Sequence, residues 1–213
     1  MMFLRVLPIA VFTLVLLLVS AGRWDVPWFF VYAALMWASA GLIYTRAPRE
    51  LVKERMKPPA DRDAQSRRIA LPLMVAHYVL AGLDVRFVWS SVPLSIRLVG
   101  LALVASAMSL VGWTLLENPF ASSAVRTQED RGQRVIQTGP YALVRHPMYL
   151  GVFLFCLGSG LALGSWWSVL PLVTILPVFV RRTLLEDRML QAELVGYRAY
   201  AEKVRWRVLP GLF

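Results

Sequence analysis

A chain of 213 residues that is 58% apolar and 17% charged is too hydrophobic for one or two water-soluble domains, in which apolar residues make up about 45–50%. Its formal charge of +10 would suit a nucleic-acid binder, but the basic residues lie between apolar blocks, so the excess is read as a membrane-topology signal and no nucleic-acid partner is expected. The lone Cys156 excludes a disulfide within the chain.

Six apolar blocks approach or reach the roughly 20 helical residues that cross a bilayer core of about 30 Å. They cover residues 4–21, 27–45, 69–83, 94–116, 147–163 and 166–180. The third, fifth and sixth are short, so five crossings with one re-entrant hairpin is the alternative to six. The first block has Arg5 near its start and ends in Ser20-Ala21-Gly22, as a signal peptide would. It is read as a retained helix, and five further blocks hold the chain in the bilayer in either case. The expectation is an all-α polytopic membrane protein with five to six transmembrane helices, a C-terminal helical hairpin and a cytoplasmic C-terminal helix. Residues 1–93 supply the N-terminal helices and the loop 46–68; residues 94–213 form the C-terminal core.

Of the 23 Lys and Arg residues, all but Arg23, Arg86 and Arg97 fall on one side if the N-terminus is cytoplasmic and the chain crosses six times. That division is what the positive-inside rule expects, and it places both termini in the cytoplasm. Trp24, Trp28, Trp89, Trp166 and Trp167 sit at block ends, where indoles favour the headgroup level. In loop 46–68, Glu50 to Glu54 and Lys53 to Lys57 have helical spacing before Pro58-Pro59. One short amphipathic helix at the headgroups fits this pattern, and a solvated connector is the simpler alternative. His77 lies mid-block, either as a functional group or as a neutral histidine hydrogen-bonded between helices.

The informative stretch begins at Glu117-Asn118-Pro119-Phe120 and ends at Arg145-His146-Pro147-Met148-Tyr149-Leu150-Gly151. Pro147 suits the first turn of a helix, with His146 just outside it. The free N–H groups of that helix end, with Arg145 and His146 beside it, could bind an anion at the cytoplasmic face. Both residues could equally serve as headgroup anchors. Gly139-Pro140 reads as a turn that brings Tyr141 over the helix end. After the last block, Arg182 and Glu186 share a helix face at i, i+4. A short Gly164-Ser165 connection makes the last two blocks an antiparallel hairpin, which returns Arg182 and Glu186 to the level of His146. Gly158-Ser159-Gly160 is read as close helix packing, because no strand precedes it as a dinucleotide fingerprint requires.

Thr138-Gly139-Pro140-Tyr141, Arg145-His146-Pro147-Met148-Tyr149 with Gly151, Glu186-Asp187, and Tyr197-x-x-Tyr200 before Leu209-Pro210 resemble the isoprenylcysteine carboxyl methyltransferase family. More distantly they resemble the phospholipid N-methyltransferases. The likeness covers about residues 94–213 and departs from the family at Asp187, where a second Glu is usual. It implies an integral membrane methyltransferase that moves the methyl of S-adenosyl-L-methionine to a lipophilic acceptor, an isoprenylcysteine-like carboxylate or a lipid. By position, Gln133, Arg134, Val135, Ile136, Tyr141, His146, Pro147, Met148, Tyr149 and Glu186 would bind the cofactor. Arg182 would bind the acceptor, and Arg182, Glu186 and His146 would carry the chemistry. A carboxylate acceptor needs no base, whereas an amine or hydroxyl would need His146, Glu186 or Asp187. Glu117 and Asn118 would border the site, and no metal is assigned. The partners implied are the lipid bilayer and the acceptor; oligomeric state is left open. The rival readings are a sterol-reductase-like NADPH oxidoreductase and a non-enzymatic membrane scaffold.

Overall fold

A computed structural model describes residues 7–56 and 61–213. Arg5 and the Lys57-Pro58-Pro59 stop lie outside the described residues. The elements run α1 (Leu7–Ala21), α2 (Pro27–Arg46), α3 (Arg49–Met56), α4 (Ala64–Phe87), α5 (Leu94–Glu117), α6 (Pro147–Leu163), α7 (Val169–Glu193) and α8 (Tyr197–Lys203). The described residues contain no strand, so the all-α expectation holds. Among them, α2, α4 and α5 are long and apolar enough to cross a membrane, and Val11–Ala21 and α6 are shorter apolar helices.

Two boundaries differ from the sequence expectation. The third block is not short: α4 adds the polar turn before Ile69 and continues through Asp84 to Phe87, giving 24 residues. Asp84 stabilises the end of that extension, because its carboxylate accepts the Ser90 N–H at 2.8 Å and the hydroxyls of Ser90 and Ser165. The last helix starts at Val169, since Ser165 to Ser168 form a turn in which Ser165 Oγ accepts the Ser168 N–H at 3.0 Å. It then runs to Glu193, carrying Arg182, Glu186 and Asp187 on one continuous helix.

α5 lies against α6, α1 against α4, α4 against α7 and α2 against α5. Absent side chains make the α5–α6 approach possible. A Cβ on Gly100 would stand 2.4 Å from the backbone nitrogen of Ala162, and one on Gly158 would stand 2.6 Å from Leu103 Cβ. Gly151 meets Val111 of α5 in the same way. The small residues of α6 thus serve packing, chiefly toward α5 rather than toward the hairpin partner α7.

A polar chain crosses this apolar interior. His77 Nδ1 lies 2.8 Å from the Ser168 carbonyl, which can only accept, so Nδ1 carries the proton. Nε2 then accepts from the Ser159 hydroxyl at 2.9 Å, and Ser159 accepts from Tyr32 at 2.6 Å. His77 is fully buried, which realises the reading of a neutral histidine joining helices. Such bonds average about 0.6 kcal/mol in membranes, so their main effect is to fix the register of α2, α4, α6 and α7.

At the opposite end from Asp84, α3 docks on protein. Leu51 is fully buried against Ile43, Leu115 and Ala121, while the Glu50–Lys53 pair at 3.1 Å is exposed and stabilises little. α3 is therefore amphipathic as expected, but its apolar side covers the bundle instead of only facing headgroups.

Candidate functional site

The loop between α5 and α6 folds back over the helix ends. Gly139 takes a positive φ of 58° at the start of a short turn, Gly139–Ala142. This turn buries Tyr141, whose hydroxyl accepts from Asn118 Nδ2 at 2.9 Å and whose carbonyl accepts from the Tyr200 hydroxyl at 2.7 Å. His146 caps the first turn of α6 and Pro147 occupies its first position. Gln133, Arg134, Val135, Ile136, Tyr141, His146, Pro147, Met148, Tyr149 and Glu186 all line one cleft. Asn118, Tyr197 and Tyr200 complete its wall. Residues up to 53 positions apart in sequence therefore converge as expected, between Gln133 and Glu186.

Glu186 takes one hydrogen bond from the protein, donated by the Tyr149 hydroxyl. That hydroxyl in turn accepts from Arg182 Nε at 3.1 Å. A half-buried carboxylate in an aromatic cleft, with an oxygen left over, is suited to a cationic group. The His146 and Tyr149 rings stack beside it, with centroids 5.7 Å apart.

Arg182 faces a second cleft, lined by Arg55, Ser122, Ser123, Met148, Tyr149 and Phe179. Met148, Tyr149 and Ser122 line both clefts, so the two meet at this wall. Through Ala70, Val152 and Phe179 the second cleft joins an apolar groove among α4, α5, α6 and α7 that includes Met74, Val111, Phe155 and Ile175. Arg182 itself is 5% exposed and well engaged. Nη1 donates to the Asp63 carbonyl at 3.1 Å and approaches Asp63 Oδ2 at 3.5 Å and Asp61 Oδ2 at 3.8 Å, and Nη2 donates to the Ser123 carbonyl at 2.8 Å.

Asp187 is the hub of the site's support. Its Oδ1 accepts from Arg145 Nε at 2.8 Å, His146 Nε2 at 3.2 Å and Tyr197 at 3.1 Å. Its Oδ2 accepts from Arg145 Nη2 at 3.0 Å, Gln191 at 2.8 Å and Arg207 at 3.1 Å. Burial opposes ionisation of Asp187, but the hydrogen bonds from His146 and Arg145 and the charge of the Arg145 guanidinium outweigh it and hold the carboxyl well below the usual carboxylate range. A carboxylate accepts only, so His146 Nε2 carries a proton. Saturated in this way, Asp187 is not available as a base.

Arg145 also departs from expectation. Its Nη1 donates to the carbonyls of Val204 and Arg205 at 2.9 Å, and its backbone N–H donates to Trp206 at 2.9 Å. With its carboxylate partner as well, Arg145 ties α6 to the C-terminal segment, and four of its five side-chain N–H donors are engaged within the protein. Asp187, a candidate base in the sequence reading, is a structural hub instead, and Asp61 and Asp63 were missed by sequence reasoning. An Asp-x-Asp in a polar loop has the look of solvated connector, and only the fold carries it to Arg182.

Residues 96–194 match the phospholipid methyltransferase family. The matched stretch lies mostly in the C-terminal half of the chain. Over 119 residues the chain is 28% identical to the protein-S-isoprenylcysteine O-methyltransferase of Schizosaccharomyces pombe, an overlap of 55% of this chain and 48% of that protein. The chain thus matches about half the length of this curated relative. The matched stretch takes in Arg182, Glu186 and the cleft residues 133–149 and ends just before α8. Both similarities are to methyl-transferring proteins, so the resemblance drawn from the motifs is borne out and the oxidoreductase and scaffold readings gain no support. The membrane character follows from the apolar helices, and the similarity to these proteins is consistent with it.

Proposed function

We propose that this protein transfers the methyl group of S-adenosyl-L-methionine to a lipophilic acceptor that reaches it from the bilayer. The observation that carries this reading is the Arg182–Tyr149–Glu186 chain at the wall shared by a polar, aromatic cleft and a cleft continuous with an apolar groove. A polar cofactor and a greasy acceptor need such a junction.

The residues present fit the cofactor. Glu186 offers a carboxylate to its ammonium group, and the Tyr149 and His146 rings offer π faces to a cation. The stretch 133–136 lines the same cleft, where a nucleoside would lie. Bound S-adenosylmethionine supplies an electrophilic methyl on a sulfonium. The protein's own part is to hold both partners at the Met148–Tyr149 wall and exclude water there. Tyr149, oriented by Arg182 and donating to Glu186, keeps the carboxylate in place. For an amine or hydroxyl acceptor, His146 Nδ1 and Glu186 are the groups able to take the proton, since Asp187 is saturated. For a carboxylate acceptor such as an isoprenylcysteine, no base is required. Together these features support a methyltransferase whose active site faces the cytoplasm, as the distribution of basic residues expects.

Titration calorimetry on the detergent-solubilised full chain tests the cofactor assignment. Binding of S-adenosylmethionine or its demethylated product in the micromolar range is expected. Absence of both, or binding of NADPH in their place, would sink it.

A further inference from the structure

Arg55 is the one cation of the second cleft whose charge and donors are left open. It projects from α3, outside the segment that matches the methyltransferases. Its Nη1 donates to the Ala121 carbonyl at 2.8 Å and touches Met148 Sδ at 3.6 Å. Among the described residues nothing accepts from Nε or Nη2, and no carboxylate lies in ion-pair range. Residues 1–6 and 57–60 contain no Asp or Glu that could serve.

The neighbours of Arg55 show that this is unusual here. Glu54, adjacent in sequence, pairs with Arg126 at 3.0 Å. Arg67 pairs with Asp61 at 3.0 Å, and Arg182 has Asp61 and Asp63. Arg145 uses its Nε and Nη2 edge to grip Asp187 with two bonds, at 2.8 and 3.0 Å. Arg55 presents that same edge, the one whose fork geometry matches a carboxylate or phosphate, with no partner among the described residues. Burial pushes the Arg55 guanidinium down from its ordinary value, with no carboxylate among the opposing influences. A buried cation is costly unless paired, and an anionic ligand would relieve that cost.

We propose that Arg55 is the acceptor-recognition residue, which grips a single anionic group on an amphiphile whose apolar tail lies in the groove lined by Met74, Val111, Phe155 and Phe179. The inference rests on the reading of the second cleft as the acceptor site. It moves anion recognition to Arg55 from Arg182, whose guanidinium is engaged by the Asp63 and Ser123 carbonyls and lies near the Asp63 and Asp61 carboxylates that Arg181 and Arg67 share. Arg182 is then a positioning residue for Tyr149. Met148, in contact with Arg55 and lining both clefts, places the gripped headgroup beside the cofactor cleft.

The test reads binding directly, apart from methyl transfer. Full-length protein in detergent is titrated with farnesylthioacetic acid, with its neutral methyl ester and with a lysophospholipid bearing one phosphate. Wild type should bind at least one anion about tenfold or more tightly than the ester, in line with a charge-assisted hydrogen bond. Arg55→Met should remove that preference while leaving ester affinity and S-adenosylhomocysteine affinity within about twofold, and Arg55→Lys should restore part of it. Preference for the carboxylate alone or the phosphate alone supports the proposal and identifies the source of the anion. Equal binding of acid and ester by wild type, no binding of any probe, or a preference that survives Arg55→Met overturns it. Failure of the cofactor assignment would appear separately, as loss of S-adenosylhomocysteine binding by wild type.

Discussion

Glu186→Gln is expected to weaken S-adenosylmethionine binding by about tenfold to a hundredfold and to lower methyl transfer at fixed cofactor by at least as much. The estimate follows from losing one charge-assisted contact to the cofactor's ammonium group, about 1.5–3 kcal/mol. Gln keeps the size of the side chain and can still accept from Tyr149, so the fold should survive. Among the described residues Glu186 makes only that one hydrogen bond, and Arg182 retains the Asp63 and Ser123 carbonyls when the Glu186 charge is removed. Calorimetry on the variant, with thermal unfolding in parallel, checks both halves. An unchanged dissociation constant would remove Glu186 from the cofactor site.

Asp187→Asn should have the larger structural effect. Asp187 is 1% exposed and joins α7 to Arg145, His146, Tyr197 and Arg207, which come from three other parts of the chain. Taking the charge from one side of a buried pair costs about 3–5 kcal/mol, because the guanidinium is left uncompensated. The melting temperature in detergent should fall, with α8 and the C-terminal segment losing protection from proteolysis first. Acid should mimic the substitution. The folded-state pKa of Asp187 is depressed, so its contribution is complete above the unfolded carboxylate value of about 4 and is lost as pH falls from there toward the folded value. Wild-type stability should therefore drop steeply below about pH 4, and the Asn variant should show a shallower drop over the same interval.

The cleft was legible in sequence because its residues come in short runs with local meaning. Pro147 suits the first turn of a helix, Gly139-Pro140 suits a turn, and the brief connection between α6 and α7 returns Glu186 to His146. Helix existence was equally legible from block length, while the ends of α4 and α7 were not. Those ends depend on Asp84 bonding to Ser90 and Ser165, and on Ser165 closing its own turn. The roles of Arg145 and Asp187 were hidden for a related reason. A basic residue at a helix start resembles an anion site until the carbonyls of Val204 and Arg205 and the Asp187 carboxylate are seen to fill its donors. Arg55, Asp61 and Asp63 lie in a polar loop whose composition fits a solvated connector. Only the tertiary arrangement shows that two of them lie beside Arg182 while the third has no ion-pair partner among the described residues.

The methyltransferase account predicts that wild-type membranes incubated with S-adenosylmethionine labelled at the methyl carbon will place label in a product extractable into organic solvent, and that Glu186→Gln membranes will place about tenfold less there. Organic-phase label equal in wild-type, Glu186→Gln and protein-free membranes, with S-farnesyl carboxylate and phospholipid acceptors both supplied, would contradict it.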